Sequence, residues 1–454
     1  MKNLTLEKIS QVCNGKLFCN DESLRKTEVE GIVRDTNDVK KDYLFIAIRG
    51  GHNYVNVAYE NGAMCVISEK ELDTDKPYIL VEDSLIATKD IARYYRSILD
   101  IKVVGVTGSV GKTSSKEAIA SVLSEKYNTL KTDGNYNNEL GVPLTIFRLR
   151  EEHEVAVIEM GISDFNEMTR LTDIVKPDVC VITNIGTCHL EKLGDRDGVL
   201  KAKTEIFKGL NKNGHIVLNG DDDKLITINE YEGIKPVFYS YEKKDGVIAY
   251  SENVKTDDVD SVSCNIIYDN EKMDVNIKIP GKHMIYNALA ATCVGKIFDL
   301  TNEEIISGLG KVTAISGRGN VIRKNNITLI DDCYNANPVS MRAGIDVLCF
   351  GKGRKVAILG DMFELGNDEK KFHAEIGEYT KKKDIDVLVF VGELMLNAFM
   401  TFKSDECPEK ELYYYNTLSD FLSECKDILK DGDVVLIKAS NGMKFKEIKE
   451  FLLG

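Results

Sequence analysis

Short runs of apolar residues, separated by segments long enough to form helices, recur along most of this chain. Before residue 98 the runs are short and lie beside Gly, Asp or Lys turns, which predicts a small mixed α/β domain. The strand candidates there are Leu44–Ile48, Met64–Ile67 and Tyr78–Val81.

Residues 99–312 repeat a strand-then-helix rhythm, which predicts a largely parallel, doubly wound sheet. Its strand candidates are Val103–Thr107, Val155–Glu159, Val179–Thr183 and Ile216–Leu218. Polar residues alternate with apolar ones further on, which predicts a half-buried strand in an antiparallel part of the sheet. Its apolar members are Met273, Val275, Ile277 and Ile279. Thr301 followed by Glu304 is typical of a capping box, here opening a short helix that ends near Gly308.

The same rhythm returns in residues 313–454 and predicts a second open, Rossmann-like α/β sheet. Its strand candidates are Thr328–Ile330, Val356–Leu359, Val387–Val391 and Val434–Ile437. We therefore expect three α/β domains, over residues 1–98, 99–312 and 313–454.

Composition narrows the class of protein. The 73 acidic and 59 basic side chains give a net charge of −14, which disfavours nucleic acid as a partner and suits a protein with an anion-binding cleft. Mean hydropathy is −0.20, and no apolar run reaches the roughly 18 residues of a membrane span. The 11 cysteines include no C-x-x-C pair, so we expect reduced thiols in a cytoplasmic protein.

The most specific chemical signal is IKVVGVTGSVGKT, residues 101–113. An apolar strand enters a glycine-containing turn, and Lys112 with Thr113 opens an amphipathic segment. Backbone N–H groups at such a helix start bind phosphate, the lysine adds a point charge, and the threonine hydroxyl can hold Mg²⁺. The loop is shorter than the usual form, because Val106 stands where a first glycine is common. It predicts binding of ATP or a close relative by Thr107, Gly108, Ser109, Val110, Gly111, Lys112 and Thr113.

Polar side chains follow further predicted strands, at the edge where α/β sheets bind ligands. Glu159 ends one strand, and a carboxylate beside a phosphate loop is a natural second Mg²⁺ ligand. Asn184 and His189 follow the next strand. A lone histidine is more often structural, but this position favours a role in the site. Asp331 and Asp332 follow a strand of the C-terminal sheet.

Three polar segments remain ambiguous by spacing alone. Residues 201–205, KAKTE, fit a solvated face of a helix that starts there and ends near Gly209. Residues 135–138, NYNN, fit a polar turn. Residues 331–338, DDCYNANP, are poor for packing and suited to hydrogen bonding with a sugar or peptide.

Taken in order, the motifs resemble those of the Mur ligases. They are TGSVGKT, EMG, TNIGTCHLEKLG, LKAKTEIF, PGKHMIYNALAA, SGRG, DDCYNANPVSM and LGDMFELG, and the family uses the same shortened loop. YNANP and LGDMFELG are most similar to members that join D-alanyl-D-alanine to UDP-N-acetylmuramoyl-tripeptide. The resemblance spans essentially the whole chain and implies a monomeric, cytoplasmic enzyme of peptidoglycan synthesis that uses ATP and Mg²⁺.

The resemblance also implies a two-step reaction. The acceptor carboxylate attacks the γ-phosphate of ATP to form an acyl phosphate, and the incoming amine then displaces phosphate. The implied catalytic residues are Lys112, Glu159, His189 and Lys203. The implied metal ligands are Thr113, Glu159, His189 and Lys203 as a carbamate. The remaining nucleotide contacts would be Asn287, Arg318 and Asp332, while Tyr334 and Asn335 would lie between ATP and the second substrate. The C-terminal domain is expected to close over ATP and to bind the incoming dipeptide.

In the family the first domain binds the UDP end of the acceptor. Asp35 and Thr36 match a short signature of that site, but Asn37 stands where relatives carry arginine. Gly50–Tyr54 is a shortened form of a longer Gly-to-His loop. Asn137 and Asn138 match positions that hold the acceptor near the phosphate loop.

Two alternatives remain open from the sequence. The altered first domain is compatible with a paralogue that applies the same ATP chemistry to another carboxylate acceptor. A P-loop nucleotide switch is disfavoured, because a switch has no need of Glu159, His189 and Lys203 together.

Overall fold

The computed structural model describes residues 1–403 and 410–454, which form three α/β sheets. The first sheet contains β1 (Lys16–Phe18), β2 (Gly31–Val33), β3 (Tyr43–Ile46), β4 (Ala63–Ser68) and β5 (Tyr78–Leu80). Its helices are α1 (Leu6–Val12), α2 (Glu22–Arg25), α3 (Val55–Glu60) and α4 (Ser84–Ser97). The order is β1-β5-β4-β3-β2, parallel except where β1 meets β5. The three predicted strands are present as β3, β4 and β5.

The second sheet contains nine strands in the order β14-β13-β12-β11-β10-β9-β6-β8-β7. These are β6 (Lys102–Thr107), β7 (Thr129–Lys131), β8 (Val155–Glu159), β9 (Val179–Ile182), β10 (His215–Asn219), β11 (Val237–Ser240), β12 (Ala249–Asp257), β13 (Ser261–Tyr268) and β14 (Glu271–Ile277). The helices are α5 (Lys112–Leu123), α6 (Gly141–Ile146), α7 (Glu167–Val175), α8 (Leu190–Leu193), α9 (Arg196–Thr204), α10 (His283–Ile297) and α11 (Asn302–Gly310). The pairs from β7 to β12 are parallel, and β12-β13-β14 are antiparallel.

The half-buried antiparallel strand is confirmed as β14, with Ile279 beyond its end. The capping box is confirmed as well. The Thr301 hydroxyl accepts from the Glu304 N–H, the Glu304 carboxylate accepts from the Thr301 N–H, and the helix continues to Gly310.

The predicted start of the lysine-rich helix is wrong. Helix α9 begins at Arg196, before KAKTE, because the Asp195 side chain accepts from the Gly198 N–H and caps the helix there. The helix ends at Thr204, and a 3₁₀ turn covers Glu205–Gly209. Lys203 therefore lies in the last turn of α9, where it is buried.

The third sheet contains β15 (Asn320–Lys324), β16 (Ile327–Asp331), β17 (Lys355–Gly360), β18 (Val387–Val391), β19 (Glu411–Tyr415) and β20 (Val434–Lys438). Its helices are α12 (Pro338–Leu348), α13 (Glu369–Lys381), α14 (Leu396–Lys403), α15 (Leu418–Ile428) and α16 (Lys446–Leu453). The order β15-β16-β20-β17-β18-β19 is parallel apart from β15 with β16. This confirms the open Rossmann-like sheet.

Helix α4 joins the first sheet to the second. Its Tyr95 and Arg96 are buried. The Tyr95 hydroxyl donates to the Leu149 carbonyl at 2.8 Å. The Arg96 guanidinium donates to the carbonyls of Val175 and Ile101, each at 3.0 Å. Carbonyl oxygens thus satisfy a buried cation, and the first sheet is held firmly beside the central one.

The β12–β13 hairpin joins the second sheet to the third. Val259, at its tip, is 1% exposed and packs in the apolar core of the C-terminal sheet with Ile330 and Met341. Around it, Asp260 pairs with Arg323 at 2.5 Å. None of the helices in the described part of the chain has the length and apolar character needed to cross a lipid bilayer.

Candidate active site

The phosphate loop connects β6 to α5 and is fixed by the neighbouring strand end. Gly108 has φ of 151°, and a Cβ there would lie 1.9 Å from the Thr183 hydroxyl oxygen, so only glycine fits. Val110 is held by hydrogen bonds at both its backbone carbonyl and its backbone N–H. Its carbonyl accepts from the Thr183 hydroxyl at 2.6 Å, and its N–H donates to Asn184 Oδ1 at 2.9 Å. The loop is therefore preformed around an anion site.

Lys112 starts α5 and folds back over the loop. Its ammonium donates to the Gly108 carbonyl at 2.9 Å. This hydrogen bond holds the ammonium over the loop, where it lies within reach of a bound phosphate oxygen.

Glu159 ends β8 beside the loop and is 1% exposed. Its N–H donates to the Thr132 hydroxyl at 3.0 Å, and its Oε1 accepts from the Asn137 amide at 2.7 Å. Its Oε2 is buried without a hydrogen-bond partner, as is the Thr107 hydroxyl oxygen at the end of β6.

These orphaned oxygens fit a hard cation. Mg²⁺ prefers oxygen ligands and is commonly held by one or two carboxylates with water and substrate phosphates. Among the described residues no group of three or more His, Cys, Asp or Glu side chains forms a complete metal cage. An Mg²⁺ ion here would rest on Glu159 and Thr113 and complete its shell with nucleotide and water.

His189 lies beyond β9 with φ of 53°. Its Nδ1 is 3.0 Å from a carboxylate oxygen of Glu364, which belongs to the C-terminal sheet's loops. Burial lowers the pKa of His189; Glu364 opposes this shift, and the ammonium groups of Lys203 and Lys112 reinforce it. A neutral imidazole is the form that can ligate a metal.

Lys203 is 1% exposed, and its amine makes no hydrogen bond or ion pair with the described residues. Burial lowers its pKa to about 8, the Cys188 thiol opposes the shift, and the Lys112 ammonium adds to it. A substantial neutral fraction near physiological pH makes this amine nucleophilic.

A cavity of about 740 Å³ opens from the phosphate loop toward the C-terminal sheet. Most of the sequence-predicted site residues line it. Besides the loop residues 109–113, Asn137 and Glu159, they are Asn287, Arg318, Asp332, Tyr334 and Asn335. The Arg318 guanidinium lies 4.0 Å from the centre of the Tyr334 ring.

Three hydrogen bonds organise this cavity. Asn287, on α10, accepts from the Ser115 hydroxyl at 2.8 Å. Lys438, which is 1% exposed, donates to an Asp332 carboxylate oxygen at 2.6 Å and to the Asn335 carbonyl at 3.2 Å. The polar segment 331–338 is thus tied to β20.

A second cavity, of about 580 Å³, lies between the first and central sheets. Its lining includes Lys112 and His189, the predicted acceptor residues Asn137 and Asn138, and two arginines, Arg34 and Arg49. Lys112 and Asn137 line both cavities.

Asp35 and Thr36 do not line this second cavity. Asp35 accepts from the Asn37 N–H at 2.9 Å, and the Thr36 carbonyl accepts from the Asn61 amide at 2.8 Å. The first contact stabilises the local turn, and the second ties that turn to the end of α3.

Several residues of the site were missed by sequence reasoning. Thr132, which holds the Glu159 backbone, lies after a three-residue strand with little pattern. Arg34 lies just before Asp35, and Arg49 lies just before the Gly50–Tyr54 loop. Their position after two adjacent parallel strands was the available signal.

A phosphate loop, an oxygen-rich cation site and a cavity shared by two sheets define a nucleotide-dependent ligase fold, and the comparisons agree. The models described as "Mur ligase middle domain" and "Mur ligase, glutamate ligase domain" match residues 106–295 and 317–441. The chain belongs to the Mur ligase family.

Similar proteins cover the chain from end to end. It is 34% identical to the UDP-N-acetylmuramoyl-tripeptide–D-alanyl-D-alanine ligase of Bacillus subtilis, over 99% of this chain and 98% of the relative. The crystal structure of MurF from Acinetobacter baumannii superimposes with a TM-score of 0.89 at 29% identity, covering 99% of this chain and 98% of that one. MurF ligase from Thermotoga maritima, solved in complex with ADP, superimposes with a TM-score of 0.79 at 28% identity, covering 93% and 96%.

Proposed function

We propose that this protein is an ATP-dependent ligase that joins D-alanyl-D-alanine to UDP-N-acetylmuramoyl-tripeptide in peptidoglycan synthesis. The observation that carries the proposal is the position of Lys112 between the nucleotide cavity and the second cavity. A γ-phosphate held by the loop and a carboxylate entering from the second cavity meet at this residue. The names of the full-length relatives support the choice of substrates.

In the first step, the acceptor carboxylate attacks the γ-phosphate and ADP leaves. Two anions must approach each other, so positioning and charge neutralisation matter more than a base. Lys112 and the N–H groups of residues 107–113 hold the phosphates, and the Asn137 amide fixes the Glu159 carboxylate. Mg²⁺, held by Thr113 and Glu159, supplies further positive charge when it is bound.

Lys203 and His189 complete the metal-binding set in this proposal. The neutral Lys203 amine adds to CO₂ and loses a proton, which converts a buried cation into a carbamate anion suited to Mg²⁺. The neutral His189 imidazole offers a nitrogen ligand, and the Lys203 and Lys112 ammonium groups are near enough to help lower the pKa of His189.

The carbamate role has a direct chemical test. Lys203→Ala should lose activity, bicarbonate should not restore it, and a short-chain carboxylate such as acetate should restore part of it. The matched control is Lys201→Ala, on the same helix. Failure of every added carboxylate to rescue Lys203→Ala contradicts the carbamate role.

In the second step, the amine of the incoming dipeptide attacks the acyl phosphate and expels phosphate. Residues 313–454 bind the dipeptide, with Tyr334 and Asn335 at the junction, and close over the site to keep water from the acyl phosphate. Residues 99–312 bind ATP and carry the chemistry, and Asn287, Arg318 and Asp332 contact the nucleotide.

Residues 1–98 hold the UDP end of the acceptor, with Asp35 and Thr36 nearby, while Asn137 and Asn138 hold its peptide. ATP is a cytoplasmic cosubstrate, so the reaction takes place in the cytoplasm. We expect the protein to act as a monomer.

The test is phosphate release by the purified protein with ATP and Mg²⁺, with the acceptor and D-alanyl-D-alanine added singly and together. Release that requires both, with a product mass that fits the new amide, supports the proposal. Phosphate release at the same rate with and without the acceptor contradicts the proposal and favours a nucleotide switch.

A second candidate is a paralogue with the same ATP chemistry on another carboxylate acceptor. It is favoured by two departures in the first domain, Asn37 and the shortened Gly50–Tyr54 loop. No turnover with either lysine-type or diaminopimelate-type acceptors, in protein that binds ATP, supports this second candidate.

A further inference from the structure

Two arginines of the second cavity have no partner for their charge. Neither the Arg34 nor the Arg49 guanidinium makes a hydrogen bond, ion pair or ring contact with any described residue. Every other arginine of the chain donates to a carboxylate or carbonyl oxygen or lies against an aromatic ring. The two unpartnered guanidinium groups line the same cavity.

The fold brings these arginines to one edge. Arg34 follows β2 and Arg49 follows β3, and the two strands are parallel neighbours. Arg49 has φ of 50° and Gly50 has φ of 93°, so the shortened loop turns sharply just after this edge. The carboxyl ends of parallel strands are where α/β sheets present side chains to ligands.

Acidic residues of the cavity do not neutralise the pair. Glu139 is bound by Lys89 at 2.7 Å and by Arg170 at 2.5 Å. Glu167 accepts from the Ser163 N–H at 2.7 Å. In a chain with a net charge of −14, two uncompensated cations in one cavity mark an anion-binding position.

Two polar residues near the arginines, Asp35 and His52, have structural roles. Asp35 caps its own turn, and His52 Nε2 accepts from the Glu69 N–H at 3.2 Å. Arg34 and Arg49 make no contact of this kind, so their guanidinium groups are available to a ligand in the cavity.

We propose that Arg34 and Arg49 together bind an anionic group of the acceptor, remote from the carboxylate that reacts at Lys112, and so help to select the acceptor. The inference rests on the proposed function and names the residues that recognise its substrate. The anion is either the diphosphate of the nucleotide or a carboxylate of the peptide that does not react. Planar guanidinium groups bind both by paired N–H donation.

The test measures acceptor affinity by calorimetry in the full-length protein, so that turnover is not needed. Arg34→Gln and Arg49→Gln should each weaken binding of UDP-N-acetylmuramoyl-tripeptide by roughly tenfold, the effect of losing one charge-assisted hydrogen-bonding group. The double variant should lose more. ATP affinity should stay unchanged, because neither residue lines the nucleotide cavity.

The matched control is Lys41→Gln, which removes an exposed cation from the same sheet outside the cavity. It should bind the acceptor like the wild type. Unchanged acceptor affinity in the double arginine variant overturns the proposal. An equal loss of affinity in Lys41→Gln also overturns it, since the loss would then come from the overall positive charge of the domain and not from the two arginines.

Two probes distinguish the sources of the anion. UDP-N-acetylglucosamine carries the diphosphate without a peptide, and N-acetylmuramoyl-tripeptide carries the peptide without a nucleotide. Weaker binding of the first probe by the double variant assigns the arginines to the diphosphate, and weaker binding of the second assigns them to the peptide.

The phosphate-release assay of the wild type separates this proposal from the proposed function. Wild-type protein that binds the acceptor and releases no phosphate with D-alanyl-D-alanine contradicts the function, while the affinity of the arginine variants still decides their role. Wild-type protein that turns over while the variants keep full affinity overturns the arginine proposal alone. Wild-type protein that fails to bind the acceptor overturns both.

Discussion

Burial of the charged Lys203 amine lowers the folding stability of the protein. Loss of its proton, or conversion of the amine to a carbamate, removes that buried positive charge. The pKa of its amine is about 8 in the fold, against about 10.4 in an unfolded chain. The folded state therefore resists protonation. In the window between these two values the unfolded chain holds more protons, so the contribution of Lys203 to stability rises with pH and is least favourable below pH 8.

We predict that Lys203→Met stabilises the protein in CO₂-free buffer. At pH 7 the gain in unfolding free energy should approach about 3 kcal/mol, because burial of the charged amine is relieved. The gain should shrink as pH rises from 8 to 10. Denaturant melts at a series of pH values measure it, and a gain that does not change with pH contradicts the assigned cause.

Gly108 sets the shape of the phosphate loop. Gly108→Ala should weaken ATP binding by at least about tenfold, because a Cβ would lie 1.9 Å from the Thr183 hydroxyl oxygen. The control is Gly50→Ala, with φ of 93° and nothing within 4 Å of the added carbon. It should cost only the roughly 1 kcal/mol of a left-handed backbone. Calorimetric ATP titrations and thermal melts compare the two, and equal ATP affinities refute the steric argument.

At the scale of elements, the β12–β13 hairpin fixes the C-terminal sheet against the central one. Val259→Asp should detach its tip, since an unpaired carboxylate is costly in an apolar core. Because the nucleotide cavity is lined from both sheets, KM for ATP should rise several-fold while acceptor affinity stays the same. Asn253→Asp, an exposed position on the same hairpin, serves as the control. A similar rise in this control variant argues against a role for the tip.

The sequence predicted elements with a strong period and missed those set by tertiary contacts. Strands β6, β8 and β9 are continuous buried apolar runs, which a parallel sheet requires. Helix α9 was placed too late because its start depends on one cap, Asp195, rather than on periodicity. The pairing of His189 with Glu364 joins two sheets, and no local pattern reports such a contact.

At the scale of the whole molecule, the three sheets divide the substrates between two cavities that meet at Lys112. The sequence motifs, taken in order, predicted most residues of the nucleotide site. Arg34 and Arg49 were missed because their importance arises only when neighbouring parallel strands bring them to one edge.

This division predicts domain closure. Small-angle X-ray scattering of the protein with ATP analogue, acceptor and dipeptide should give a smaller radius of gyration than the free protein, because the C-terminal sheet must exclude water from the acyl phosphate. Superimposable profiles contradict closure.

In the proposed reaction an acceptor carboxylate meets the γ-phosphate of ATP at Lys112. The most direct measurement uses UDP-N-acetylmuramoyl-tripeptide labelled with ¹⁸O in the reacting carboxylate, in a complete reaction with ATP, Mg²⁺ and D-alanyl-D-alanine. One ¹⁸O atom per turnover should appear in the released phosphate, because the amine breaks the bond between the acyl carbon and the bridging oxygen, and that oxygen came from the carboxylate. Unlabelled phosphate, released at the normal rate, would contradict the proposed reaction.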